Sequence, residues 1–148
     1  MRVSILGVSI GGFADVVTSF LIDIPLSAYV LLHSRSSAEP VAIAAQTTYA
    51  RFHAHPLILG AQFLLSLLCS AFGGYVAAAI AGHDERLNGT LSCWLCIGLG
   101  LALLPLGLAK DPWWLQAFFM LLSPVMGFLG GDLRLRQRIA KASVATAV

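Results

Sequence analysis

Asp15 is the residue best placed to do chemistry, because it stands inside an apolar run from Val3 to Leu32 whose only other charged residue is Asp23. Helical rise puts it ~18 Å from the start of that run, near the middle of a ~30 Å hydrocarbon layer. An ionisable group at that depth costs about 2.5–3.5 kcal/mol even on lenient insertion scales, and it turns toward a partner or a cavity. Gly11, Gly12, Thr18, Ser19 and Asp23 share its half of a helix, at offsets of three, four and eight residues. Two roles fit this pattern. Asp15, with the Thr18 and Ser19 hydroxyls, could be a proton-titrating or cation-binding site in a transport path. Alternatively, a neutral, hydrogen-bonded Asp15 could fix helix packing. No Lys or Arg stands at its depth in any apolar run, so an intramembrane ion pair is not expected.

Cys93 and Cys96 form a CxxC, CWLC, whose i, i+3 spacing puts both thiols on one helix face and suits thiol redox or metal binding. Cys69 is the only other thiol, so there is no second pair to pass electrons to. The expected role is that of small buried apolar residues. His33, His53 and His55, with Glu39 between them in the chain, match no defined ligand motif and read as loop or interfacial residues. His83-Asp84-Glu85-Arg86 reads as a solvated turn, and Gln62 and Gln116 as interhelical hydrogen-bond donors. No catalytic residue, metal site or cofactor is assigned, and no enzyme activity is expected.

Around these groups the chain is built from small residues. From Ser66 to Gly82, Ser66, Ser70, Gly74 and Ala78 recur every fourth residue beside Cys69, Gly73, Ala77 and Ala81. Both rows lie on one side of a helix. In a bilayer such a face lets backbones approach closely, since dispersion contacts replace the missing hydrophobic drive. Gly7 and Gly11 show GxxxG spacing with Gly12 beside them, and Gly127 and Gly131 repeat it around Gly130. Gly98 and Gly100 are expected to join the same layer of close contacts. Ser4–Phe13 and Ser66–Tyr75 also echo one another, as an inverted repeat would.

The whole composition agrees with this setting. Of 148 residues, 58% are hydrophobic and 11% charged, against about 45–50% and 25% in soluble domains. A net charge of +2, with no basic patch interleaved with aromatics, excludes nucleic acid as a partner. The length suits one all-α membrane domain, a polytopic four-transmembrane-helix bundle. Its spans are expected at about 3–32, 57–81, 89–109 and 113–131, followed by a basic tail over 132–148. Glu39-Pro40 could open a short interfacial helix striped by Val41, Ala45, Tyr49 and Phe52. Arg2, Arg86, Arg134, Arg136, Arg138 and Lys141 fall on one side of this topology, and Arg35, Arg51 and Lys110 on the other. Positive charge collects inside, so both termini are expected in the cytoplasm. Arg134, Arg136, Arg138 and Lys141 would then meet anionic lipid.

The Gly73-Gly74-Tyr75-Val76-Ala77 run, the polar turn after it and Asn88-Gly89 resemble small four-helix bacterial inner-membrane proteins of uncharacterised function. The likeness covers Ser66 to about Gly100 and implies a multi-pass location in the inner membrane, with no catalytic residues. Gly11-Gly12 followed by Asp15 is similar to the small multidrug transporters, which also have four helices and an essential acid in the first span. The leading expectation is a packing, assembly or accessory subunit, in a homo-oligomer or a membrane complex. A small proton-coupled transporter or channel subunit using Asp15 is the alternative, and a membrane thiol redox protein using Cys93 and Cys96 a second one.

Overall fold

The computed structural model describes residues 2–34, 56–103 and 113–145, and every element in them is an α-helix. They are α1 (Ile5–Ser34), α2 (Pro56–Ala81), α3 (Glu85–Leu103) and α4 (Trp113–Ala145). The protein is therefore all-α, and α1, α2 and α4 are each long and apolar enough to cross a membrane. The described part of α3 is 19 residues and opens on Glu85 and Arg86; the expected continuation of that span to Ala109 lies outside the described residues. So do the linker helix after Glu39-Pro40, His53, His55 and the Lys110-Asp111-Pro112 turn.

Two boundaries differ from the sequence expectation. α3 begins at Glu85, inside the stretch read as a turn. The reversal is made in fewer residues because Gly82 and Asp84 both take positive φ, 66° and 43°. Gly82 closes α2 by donating its N–H to Ala78 at 3.1 Å, the left-handed helix ending that glycine favours. Glu85 then sits in the first turn of α3, where the helix dipole favours an acid. At the other boundary, α4 runs without a break past Gly131 to Ala145, so the basic segment continues the span as helix. Pro25 and Pro124 both lie inside helices.

The chain forms two compact units, Met1–Val17 with Leu67–Val148, and Thr18–Ser66. In the second unit, Phe20, Leu21, Ile24, Leu57 and Leu64 are all exposed, and Ser66 is half-buried.

The first unit is filled by its smallest residues. Its largest fully buried side chains are Asn88, Cys69, Cys93 and Ser92, while Phe13, Phe72, Trp94 and Phe128 face outward. A soluble core would do the reverse. Backbones meet where the glycines are. A Cβ on Gly11 would come 2.6 Å from the Gly73 carbonyl oxygen, and one on Gly7 would come 2.8 Å from that of Ala77, so α1 lies directly on α2. A Cβ on Gly74 or on Gly89 would come 2.5 Å from the Gly127 carbonyl oxygen, which makes one junction of α2, α3 and α4. Gly131 faces Glu85 and Arg86 of α3, Gly130 abuts Ala71 of α2, and Gly12 faces Ser92 and Leu95 of α3. Ala78 is fully buried. Gly98 and Gly100 do not belong to this layer: both are exposed, with nothing within 4 Å of an added Cβ. Their small size reflects no close approach among the described residues.

A methyl group at the three-helix junction must therefore move backbone. Gly127→Ala is expected to destabilise the protein by about 1–3 kcal/mol, read as earlier thermal unfolding in mild detergent. Gly98→Ala should be neutral or slightly stabilising, since Ala is the better helix former. Equal effects would disprove the junction.

Candidate functional site

Asp15 is 6% exposed and lies between α1 and α2 because Gly73 leaves room for it: a Cβ on Gly73 would sit 2.7 Å from that of Asp15. The Ser70 hydroxyl on α2 donates to Asp15 Oδ2 at 3.2 Å. Ser123 on α4 donates in turn to the Ser70 hydroxyl at 3.1 Å. The Cys96 thiol on α3 donates to the Gly12 carbonyl oxygen at 3.4 Å, one helical turn before Asp15. Three helices, α1, α2 and α4, thus contribute a polar side chain to one hydrogen-bonded line. Thr18 and Ser19 follow Asp15 on α1 but belong to the second unit, where both are half-buried.

Chemically this cluster can hold and pass protons. It is a donor-to-acceptor line, Ser123 to Ser70 to Asp15, that ends on a carboxyl group. Among the described residues no group of three His, Cys, Asp or Glu is placed to hold a metal ion. Cys93 is fully buried and its thiol points at the Ser70 carbonyl oxygen at 3.7 Å. Cys69 is also buried, Cys96 is half-buried, and none of the three forms a disulfide.

Ser70 stood in the small-residue row, so sequence spacing marked its face but gave no hint of its acceptor. Ser123 carried no signal beyond its place before Pro124. Cys96 was visible through the CxxC, which pointed to redox chemistry and not to a backbone carbonyl on α1.

A second polar centre closes one end of the first unit: of the turn read as solvated, His83, Asp84 and Arg86 keep exposed surface, whereas Glu85 is buried. Asn88 has no exposed surface. Its Oδ1 accepts the Ser4 N–H at 2.7 Å, and its Nδ2 donates to the carbonyl oxygens of His83 at 2.9 Å and Asp84 at 3.1 Å. Ser4 in turn caps α1, accepting the Gly7 N–H at 3.1 Å. The start of α1 is further held by Asp84, whose Oδ2 accepts the Arg2 N–H at 2.7 Å.

Glu85 is only 4% exposed and meets the Arg138 guanidinium at 2.5 Å, while Arg138 also donates to the Gly82 carbonyl oxygen. Arg86 and Arg136 converge on the two oxygens of Asp132. Two arginines of the expected lipid-binding tail are thus engaged within the protein. Exposed pairs of this kind contribute little each; the buried Glu85 is different, because removing Arg138 would strand its charge.

The Arg2 backbone N–H, assisted by the nearby charges of His83 and Arg2, holds the Asp84 carboxyl below its usual range. Its contribution is therefore complete above the ordinary Asp value of about 3.9 and disappears as pH falls through the depressed value. Amide exchange at Arg2 to Ser4 should accelerate only in that acid window, and Asp84→Asn should abolish the window. Thiol labelling tests the interior independently. In the folded protein Cys96 should react at least about tenfold faster than Cys93 or Cys69, with all three reacting alike after denaturation. Equal rates before denaturation would show that the cluster is open.

No family model, curated protein or solved structure matches this chain, so its functional reading rests on its own residues.

Proposed function

We propose that this chain is a multi-pass protein of the bacterial inner membrane that serves as a packing, assembly or accessory subunit. The observation that carries this reading is the engagement of the interior groups by neighbouring helices. The Asp15 carboxyl has Ser70, and the Cys93 and Cys96 thiols have backbone carbonyls. Such contacts hold a scaffold together and leave the large apolar side chains outside for lipid and for other subunits. Both termini lie in the cytoplasm in this reading, supported by Arg2, Arg86, Arg134, Arg136, Arg138 and Lys141 against Arg35, Arg51 and Lys110. The partner is a second copy or another membrane subunit.

One observation favours a second reading, a small proton-coupled transporter or channel subunit. The Ser123–Ser70–Asp15 line is a continuous path of exchangeable protons ending on an intramembrane acid, and such acids recur in proton relays.

Asp15→Asn separates the two, since Asn keeps the shape and can still accept from Ser70. For the scaffold, the variant should melt within about 1 kcal/mol of the parent and should carry the same partners through mild detergent extraction. Proteoliposomes of parent and variant should be equally silent to an imposed pH gradient. A pH-driven flux in the parent, lost in an equally stable variant, would refute the scaffold and establish transport.

A further inference from the structure

The ion pairs at the polar end sort the basic residues of α4 into two groups. Arg136 and Arg138 are turned to Asp132 and Glu85, with Asp132 shared between Arg136 and Arg86. Arg134 and Lys141, seven residues apart and so on one helix face, meet no acid among the described residues. Arg134 is instead held by an aromatic ring, its guanidinium carbon 6.0 Å from the centroid of Tyr75 on α2. The Tyr75 hydroxyl donates to Gln137 Oε1 at 2.8 Å, one turn further along α4, which fixes the ring beneath the guanidinium. A guanidinium carried over a ring keeps its N–H edges free, and those edges match the oxygens of a phosphate in pairs.

The depth is also right for a headgroup. From Gln116 to Leu133, α4 rises roughly 27 Å, close to one hydrocarbon thickness, so Arg134 follows at its edge. Leu68 and Phe72 stand seven and three residues before Tyr75 on the same face of α2, and both are exposed. They lead from Arg134 back into the span.

We infer that Arg134, seated on Tyr75 and backed by Lys141, binds the phosphate of an anionic phospholipid whose acyl chain lies along Phe72 and Leu68. The inference rests on the membrane placement proposed above and not on the assembly role. It also narrows the expected lipid contact from the whole basic tail to one face of it.

The test uses the full chain reconstituted into nanodiscs of equal parts phosphatidylcholine and phosphatidylglycerol, then released into mild detergent for mass measurement of the lipids still bound. Phosphatidylglycerol should be retained preferentially, by roughly fivefold for each of the two cations. Arg134→Gln should remove at least the share of one cation, and Arg134→Lys, which keeps charge but loses the planar fork, should fall between. Arg136→Gln should leave the preference unchanged. Full retention in Arg134→Gln, or equal loss in Arg134→Gln and Arg136→Gln, would overturn the site in favour of diffuse charge. Displacement of the lipid by an equal concentration of inorganic phosphate would overturn the lipid assignment. Failure of the chain to enter nanodiscs of either lipid would refute the membrane placement itself, whereas entry without a lipid preference refutes only the clamp.

Discussion

Close backbone approach is the constraint on which the first unit depends. When the surrounding solvent is as apolar as leucine, nothing is gained by hiding leucine from it, and helices associate through dispersion and hydrogen bonds that act only at short range. Gly74, Gly89 and Gly127 meet where any side chain would overlap a carbonyl oxygen. That contact fixes how α2, α3 and α4 are rotated about their own axes. The exposed phenylalanines and leucines follow from it, since a packing surface occupied by backbone has no space for them.

The same closeness explains why polar groups are tolerated inside. Gly73 creates the recess that Asp15 fills, and the helix contacts that exclude lipid also deliver Ser70 and, one step away, Ser123. A buried polar group is costly only when it lacks partners. At the end of the unit Asn88 works on the same principle with backbone groups, joining the start of α1 to the α2–α3 turn. Outside it the arginines of the ion pairs are exposed and shape the surface charge, while the buried Glu85 depends on Arg138.

Part of this was legible in advance. The helical periodicity of glycine and serine over 66–82 located the face that meets α1 and α4, because 3.6-residue geometry ties spacing to direction. That the chain is all-α, with long apolar helices, followed from hydropathy. Gly98 and Gly100 show the limit: a small residue permits a close contact but does not require one, and rotation about the helix axis is set by neighbours. Asn88 shows another. Its acceptors and donors include a residue 84 positions away, so locally it reads as one more polar residue in a turn. The basic tail shows a related limit. Counting arginines gives a field, but only their position against Asp132 and Glu85 tells which of them remain unpaired.

The tie between Asn88 and Ser4 also bears on the order in which the protein is made. Chains emerge from the ribosome N-terminus first, so α1 enters the membrane before the residue that receives its first amide exists. Until α2 has followed and the α2–α3 turn has emerged, that end of α1 relies on interfacial water. The start of α1 is therefore secured by a residue made one helix later, and the arrival of the α2–α3 turn is the event that commits it.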